Sequence, residues 1–454
     1  MPTWLLYTLG VLIFAGAMVF SIGLHEIGHL IPAKKFGVKV TQYMIGFGPT
    51  IWSRKRGETE YGLKAIPLGG YIRMIGMIPP RPDGSVSRWP RRMALAIEDF
   101  RQTSRAELDP ADEDRQFYRL TPGKKMIIML GGPCMNLLIF LVLTVIVMTS
   151  IGLSHNDPTT TVGTVYQCVV PVTSPDAGTD KCPANAQAAP AFKKLQPGDK
   201  ILAVNGVTIT SWDQITSLIE PSAGKALSVL VEHNGVRSTV EITPVANTKY
   251  VSDNSTKTKI AGFVGISPTN HYYYKPVAVG SLPGQIGSQL RLAWDRFMQY
   301  PNRIGDLFGT VFEGKPRNIN SAIGVVGISR LSGDLASSHL LDTKDKAVTL
   351  MGLIAGVNLL LFLFNLLPLL PLDGGHVAGA LVESIRRGRA RLRARMRPAA
   401  IGPDGTAPDR TRSPIFVDTA QLLPVMYVVG SLLIALTLLT LYADIVSPVN
   451  PFKS

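Results

Sequence analysis

Four stretches of the chain are apolar for long enough to cross a hydrocarbon core: Trp4 to about Leu24, Met126 to Ile151, about Val348 to Leu367, and Leu422 to Tyr442. At ~1.5 Å of rise per residue, ~20 apolar residues cover the ~30 Å that such a core requires. Between the spans the period changes. Within Phe36 to about Ile75, Tyr61, Leu63 and Ala65 alternate with Gly62, Lys64 and Ile66, and Gly57-Glu58 supplies a turn, so a β-hairpin is predicted. From Leu195 onward come a Pro197-Gly198-Asp199 turn, a β-branched run to Val204, an Asn205-Gly206 turn and a strand at Val207. Trp212 to Leu218 then has helical spacing and Ala226 to Glu232 is strand-like, which predicts a small α/β domain over Thr161 to Thr243. Tyr272 to Gly309 and Ile323 to Leu341 interleave apolar residues with Arg291, Arg296, Arg303 and Arg330, the pattern of interfacial segments. Trp89 to Asp114 reads as one interfacial helix followed by an acidic loop, and Pro398 to Ser413 as a mobile linker.

Composition fits spans joined to a soluble appendage, since 46% of the 454 residues are hydrophobic and only 17% are charged. The net charge of +14 is unevenly spread. Lys34, Lys35, Arg54, Lys55, Arg56, Arg91, Arg92, Lys124 and Lys125 lie between the first two spans, and a second block from Arg386 to Arg397 lies between the last two. The positive-inside rule makes both loops cytoplasmic, so both termini and the segment Gly152 to Asp345 are expected outside. Met1 to Leu9 contains no Lys or Arg and no cleavage-site pattern follows, so the first span reads as retained. A juxtamembrane basic block attracts anionic lipid, and no nucleic-acid partner is expected at Arg386 to Arg397.

The chemistry sits at the inner end of the first span, in His25-Glu26-Ile27-Gly28-His29. On a helix, two histidines four apart share a face and can share a zinc ion, with the intervening Glu at hand as a base. Ionisable groups at membrane depth are expensive and persist where they face a protein interior or a wet cavity. A helix cap or a headgroup contact is the alternative. Catalytic zinc takes three protein ligands. The third is sought in Asn365-Leu-Leu-Pro368-Leu-Leu-Pro371-Leu-Asp373-Gly374-Gly375-His376, where two prolines break the third span and Asp373 arrives at the depth of the histidines. Asp373 could instead cap a following helix running to Ile385; His376 and Glu383 are weaker ligand candidates.

Together with Gly46-Phe47-Gly48-Pro49, Pro67-Leu68-Gly69-Gly70-Tyr71, and Gly132-Pro133 with Asn136, these motifs resemble the site-2 protease family of intramembrane zinc metalloproteases, most closely its RseP-like and actinobacterial members. The resemblance implies a Zn2+ cofactor held by His25, His29 and Asp373, with Glu26 as general base and Asn365 and Asn136 handling the substrate. It implies a polytopic α-helical membrane protein with four transmembrane helices, a re-entrant cytoplasmic-side β-hairpin over Phe36 to Ile75 and one extracytoplasmic α/β PDZ domain. The expected partition is residues 1–35 (first transmembrane helix), 36–123 (cytoplasmic loop with the hairpin), 124–152 (second helix), 161–243 (PDZ domain), 244–346 (membrane-associated outer region), 347–376 (third helix with the ligand motif), 377–420 (basic loop) and 421–446 (fourth helix). Expected partners are single-pass transmembrane substrates such as anti-sigma factors, an upstream site-1-type protease, and anionic lipids, all at a bacterial plasma membrane. An inactive PDZ scaffold is one alternative. A metal transporter is another, although the second and fourth spans carry almost none of the polar residues that a transport path needs. Cys134 suits a packing role, whereas Cys168 and Cys182 fall in the outer segment, where a disulfide or two free thiols both fit.

Overall fold

The computed structural model describes residues 2–80, 89–106, 109–171, 182–183, 186–250, 258–314, 317, 321–339, 341–396 and 416–449. It divides into two compact units, residues Met1–Ser150 with Val277–Ser454, and residues Ile151–Pro276. The linker expected at Pro398 to Ser413 lies outside the described residues.

In the first unit, helix α1 (Thr3–Lys35) continues well past the apolar run and holds the whole His25 to His29 motif in its interior. Lys34 and Lys35 fill its last turn, where positive charge suits the helix dipole, and Gly37 turns the chain away at a φ of +83°. Two long strands follow, β1 (Val40–Arg56) and β2 (Thr59–Met74), joined at Gly57-Glu58. They are more than a plain hairpin. Gln42 to Ile45 pair with Arg73 to Gly70 on one side and with Glu60 to Leu63 on the other, while Arg54 and Ser53 pair with Tyr61 and Gly62. Each strand therefore bends back on itself, giving four segments in the order 50–56, 59–64, 40–45, 70–74. The bends fall on Gly46 (φ +92°) and Gly48 (φ +82°) in one strand and on Gly69 (φ +133°) in the other, positions where only glycine is unstrained.

Helix α2 (Arg91–Ala106) precedes a 3-10 turn at Pro110–Arg115. The acidic tract is ordered there: Asp112 is buried against Lys39, and Arg115 grips the turn residue Glu58 with two bonds of 2.7 and 2.8 Å. Those Arg115 bonds hold the Glu58 carboxyl below its usual range. Helix α3 (Pro122–Ile146) runs into a π turn at Val147–Ile151.

The second unit contains β3 (Leu153–Val165), β4 (Lys200–Val204), β5 (Val207–Thr208), α4 (Trp212–Ile219), β6 (Leu227–His233), β7 (Val236–Ile242), β8 (Val245–Tyr250), β9 (Thr258–Phe263) and β10 (Ile266–Lys275). The Asn205-Gly206 turn joins β4 to β5, with Asn205 at a φ of +49°. The main sheet runs β10-β3-β4-β6-β7, so β10, well beyond Thr243, completes it, and β8 and β9 pair as a separate hairpin. An aliphatic core that includes Val162, Ile201, Val204, Ile215 and Val231 lies between sheet and α4. Cys168 and Cys182 are joined by a disulfide.

Back in the first unit come α5 (Leu282–Met298), α6 (Tyr300–Glu313), α7 (Val325–Ser337), α8 (Thr343–Asn365), α9 (Asp373–Met396) and α10 (Leu423–Val446). Asp444 near the end of α10, 1% exposed, accepts from Arg317 and from the backbone N–H groups of Gly324 and Gly327, which ties α10 to the start of α7. Among the described residues, four helical stretches are long and apolar enough to cross a membrane: Thr3–Lys35, Pro122–Ile151, Thr343–Asn365 and Thr419–Val446. The third ends at Asn365, near the break expected around Leu367, and Asp373 opens the next helix. Pro368 and Pro371 remove the backbone donors that would carry it further. Helix α9 in turn runs to Met396, so most of the basic block is helical where a loop was expected.

Candidate metal centre

His25 and His29 meet because a helix puts residues four apart on one face, and their Nε2 atoms lie 3.2 Å apart. Helix α3 can approach that face only because it presents glycines. A Cβ on Gly28 would overlap the carbonyl of Gly131 and the reverse is equally true, while a Cβ on Gly132 would collide with the His29 ring. Asp373, the first residue of α9, closes the cluster, with Oδ2 3.4 Å from Nε2 of each histidine. Among the described residues these three form the only such group of potential ligand atoms.

The spacing itself tests whether zinc fits. Two ligands at ~2.0–2.1 Å from zinc with a tetrahedral angle between them stand about 3.3 Å apart. The three observed separations, 3.2, 3.4 and 3.4 Å, match the edges of such a tetrahedron, and two imidazoles with one carboxylate are a zinc donor set.

The far side of each imidazole is also held. His29 Nδ1 donates to the carbonyl of Ile128 at 2.7 Å; a carbonyl can only accept, so the proton is on Nδ1 and the Nε2 lone pair faces the cluster. The side-chain amide of Asn136, 2% exposed, lies 3.2 Å from His25 Nδ1. As placed, Nδ2 faces His25 Nδ1; a ligating His25 carries its proton on Nδ1, and turning the amide over brings Oδ1 round to accept it. The sequence suggested that Asn136 lines the site or helps hold the substrate strand; in the structure its side chain lies behind His25.

Glu26 is 7% exposed and faces the second bend of the sheet. A Cβ on Gly70 would come 2.8 Å from Glu26 Cγ and 3.1 Å from Oε1, so glycine there leaves room for the carboxylate. Tyr43 of β1 donates to the Gly23 carbonyl at 2.8 Å, fastening the sheet to α1 two residues before His25. Asn365 is half-buried at the end of α8, and no hydrogen bond joins its side chain to another described residue. His376, three residues beyond Asp373, is outside the ligand group, and Glu383 is committed to Lys125 at 2.7 Å. The sequence reading passed over Gly28, Gly131, Tyr43 and Ile128. For the glycines a signal existed, small residues recurring at one face of an apolar helix. The Ile128 role runs through a backbone atom and leaves no trace in side-chain identity.

The profile of peptidase family M50 matches residues 13–401. Zinc metalloprotease Rip1 of Mycobacterium tuberculosis is 30% identical over an alignment covering 99% of this chain and 100% of that protein. Rip1 of Mycolicibacterium smegmatis is 29% identical with the same coverage, and zinc metalloprotease RasP of Geobacillus kaustophilus is 27% identical over 82% of this chain and 88% of its own. The solved PDZ domain of the SdrC-like protein from Listeria monocytogenes aligns with 24% of this chain and 87% of that one at 16% identity; its TM-score of 0.14 carries no argument.

Proposed function

Since this chain belongs to peptidase family M50, we propose that it cuts the transmembrane segments of single-pass proteins near their cytoplasmic ends, with His25, His29 and Asp373 holding its zinc. It is a zinc metalloprotease and a multi-pass membrane protein. The observation that carries the proposal is a ligand triangle of zinc dimensions on an apolar helix long enough to span, with a buried carboxylate beside it.

Zinc, when bound, supplies Lewis acidity that makes water a nucleophile near neutral pH and polarises the scissile carbonyl. Glu26 takes the proton of the attacking water and hands it to the leaving amine. The Ile128 carbonyl keeps His29 in the tautomer that offers Nε2, and Asn136, turned so that Oδ1 accepts from Nδ1–H, would do the same for His25. A transmembrane substrate arrives helical, its scissile amides bonded internally, and must unwind before attack. The outer segment 70–74, which pairs on one side only, offers the freed backbone a strand partner and ends at Gly70 beside Glu26. Asn365 is the remaining polar side chain available to steady that strand.

The outer unit reads as a PDZ domain. Its β10 is the outer strand of the sheet, with Gly265 at a φ of +86° just before it, an edge suited to receiving a peptide end. Substrates of the anti-sigma-factor type, first trimmed outside by a site-1-type protease, would be admitted there while intact ones are refused. The Lys and Arg asymmetry supports extracytoplasmic termini at a bacterial plasma membrane, with anionic lipid at the Arg386 to Arg397 block.

The test is cleavage of a single-pass substrate by the purified enzyme in liposomes, with products mapped by mass spectrometry. Cuts inside the hydrophobic segment, lost on chelation and restored by zinc, are expected; cuts confined to soluble flanks would sink the intramembrane reading. Cysteine labelling in intact cells should modify Ser217→Cys and spare Thr103→Cys, and the reverse pattern would invert the orientation.

A further inference from the structure

The third ligand opens α9 directly after a stretch of chain that is neither helix nor strand. Between Asn365 and Asp373 the backbone forms only turns around Pro368 and Pro371, and such a segment cannot by itself hold a carboxylate to a fraction of an ångström. The helices on either side can. On the α8 side, Asn358, fully buried, donates from Nδ2 to Ser21 Oγ at 3.1 Å, and Ser21 is one helical turn before His25 on α1. On the α9 side, Glu383 (2% exposed) takes Lys125 Nζ at 2.7 Å, and Lys125 (6% exposed) lies three residues before Ile128, whose carbonyl fixes His29. Arg387 Nη2 holds the second Glu383 oxygen at 2.6 Å.

We propose that Asn358 with Ser21 and Glu383 with Lys125 are paired positioning residues, two buried polar clamps that set where Asp373 stands and so tune the affinity of the zinc site. The inference rests on the reading of His25, His29 and Asp373 as ligands. One clamp references α8 to the helix that carries both histidines. The other references α9 to the helix that orients them. In hydrocarbon, a leucine gains nothing by facing protein instead of lipid, so apolar packing discriminates helix registers poorly, whereas a buried bond between two specific side chains permits one register only. Glu383 sits ten residues along α9 from Asp373, ~15 Å by helix rise, so a tilt of α9 at the clamp is delivered to the ligand at the other end. Neither clamp contacts the ligand atoms.

The full-length protein in detergent is titrated against a chromophoric zinc chelator, the absorption spectrum of its Co2+-substituted form is recorded, and melting is followed in parallel. Asn358→Leu and Glu383→Gln should each weaken zinc binding about 10- to 100-fold, the range for groups that orient ligands, and should shift the cobalt bands. The exchange Lys125→Glu with Glu383→Lys and Arg387→Glu, which inverts every charge of the cluster, should bring affinity and spectrum back, which a ligand role for Glu383 would forbid. Unchanged affinity and spectrum in both single variants would overturn the inference. So would an exchange that restores the melting temperature and leaves zinc binding weak, because the pair would then serve the fold alone. Asp373→Ala is the control: if it keeps wild-type affinity, the ligand assignment has failed and not the clamps.

Discussion

The two compact units treat polar groups in opposite ways. In residues Ile151–Pro276 the core is aliphatic, and Asp199, bonded to His233 and to the Gln196 N–H, is the one buried polar side chain among the described residues. In the membrane unit Glu26, His29, Lys125, Asn136, Asn358, Glu383 and Asp444 are all 7% exposed or less. Water explains the first pattern, since each Å² of apolar surface removed from it stabilises by ~25 cal/mol. A helix bundle in lipid lacks that drive, so specific polar bonds and close glycine contacts decide which helices meet and where. Polar substitutions should therefore be costly and specific in the membrane unit, and mild in the β-rich one.

The largest expected effect is at Glu26. Glu26→Gln keeps the shape and removes the proton acceptor, so cleavage should fall by about 10²- to 10⁴-fold while zinc content stays at one per chain. Measuring both on one preparation is essential. Retained turnover would mean that this buried carboxylate serves the fold, as Asp199 does in the β-rich unit. Next comes Asn136→Leu, which takes away the partner of His25 Nδ1 and should weaken zinc by about 10- to 100-fold, read by chelator competition. If zinc binding is unaffected and only substrate KM rises, Asn136 belongs to the substrate after all.

Which parts of this were legible in the sequence follows from the range of the forces involved. The His25, Glu26, His29 triplet is a single helical turn, so spacing alone announced it. Asp373 could be nominated because Pro368, Pro371, Gly374 and Gly375 mark a broken helix at the right depth, but its 3.4 Å approach to the histidines depends on the packing of α9 against α3. Turn chemistry at Gly57-Glu58 and Asn205-Gly206 is local and readable. The doubling of the sheet was not, because alternation reports which face a residue uses and is silent on whether a strand has one partner or two. Gly46, Gly48 and Gly69 marked the bends without saying that the chain returns there. The Ser21 and Asn358 bond and the Lys125 and Glu383 pair join residues hundreds of positions apart, and nothing in the local pattern links them.

A smaller effect is expected where the sheet meets α1. Tyr43→Phe deletes one buried hydrogen bond, to the Gly23 carbonyl, and should cost ~1 kcal/mol. Thermal melting of the detergent-solubilised protein gives the stability, and protease nicking at Gly57 reports whether the sheet loosens. No change in either would show that the sheet is held by other contacts, and that a single polar bond counts for less in this unit than the comparison claims.

The smallest effect is expected in the β-rich unit, at Glu220, whose carboxylate is shared by Lys249 and by Lys259, the latter at 2.7 Å. Both lysines are 42% exposed, so solvent screens the cluster and its worth should stay under ~1 kcal/mol. The bond from Lys249, then that from Lys259, holds the Glu220 carboxyl below its ordinary value of 4.5. A depressed carboxyl stabilises the fold at pH values above its unfolded pKa and loses that contribution as pH falls through the folded one. Glu220→Gln should accordingly lower the melting temperature slightly at pH 7, and the gap to wild type should close as both are acidified from about pH 4.5 downward, shrinking also in high salt. A gap as wide at pH 3 as at pH 7 would mean that Glu220 acts through packing. A gap of several kcal/mol at any pH would break the comparison itself, because an exposed ion cluster in the β-rich unit would then match the buried ones in the helical unit.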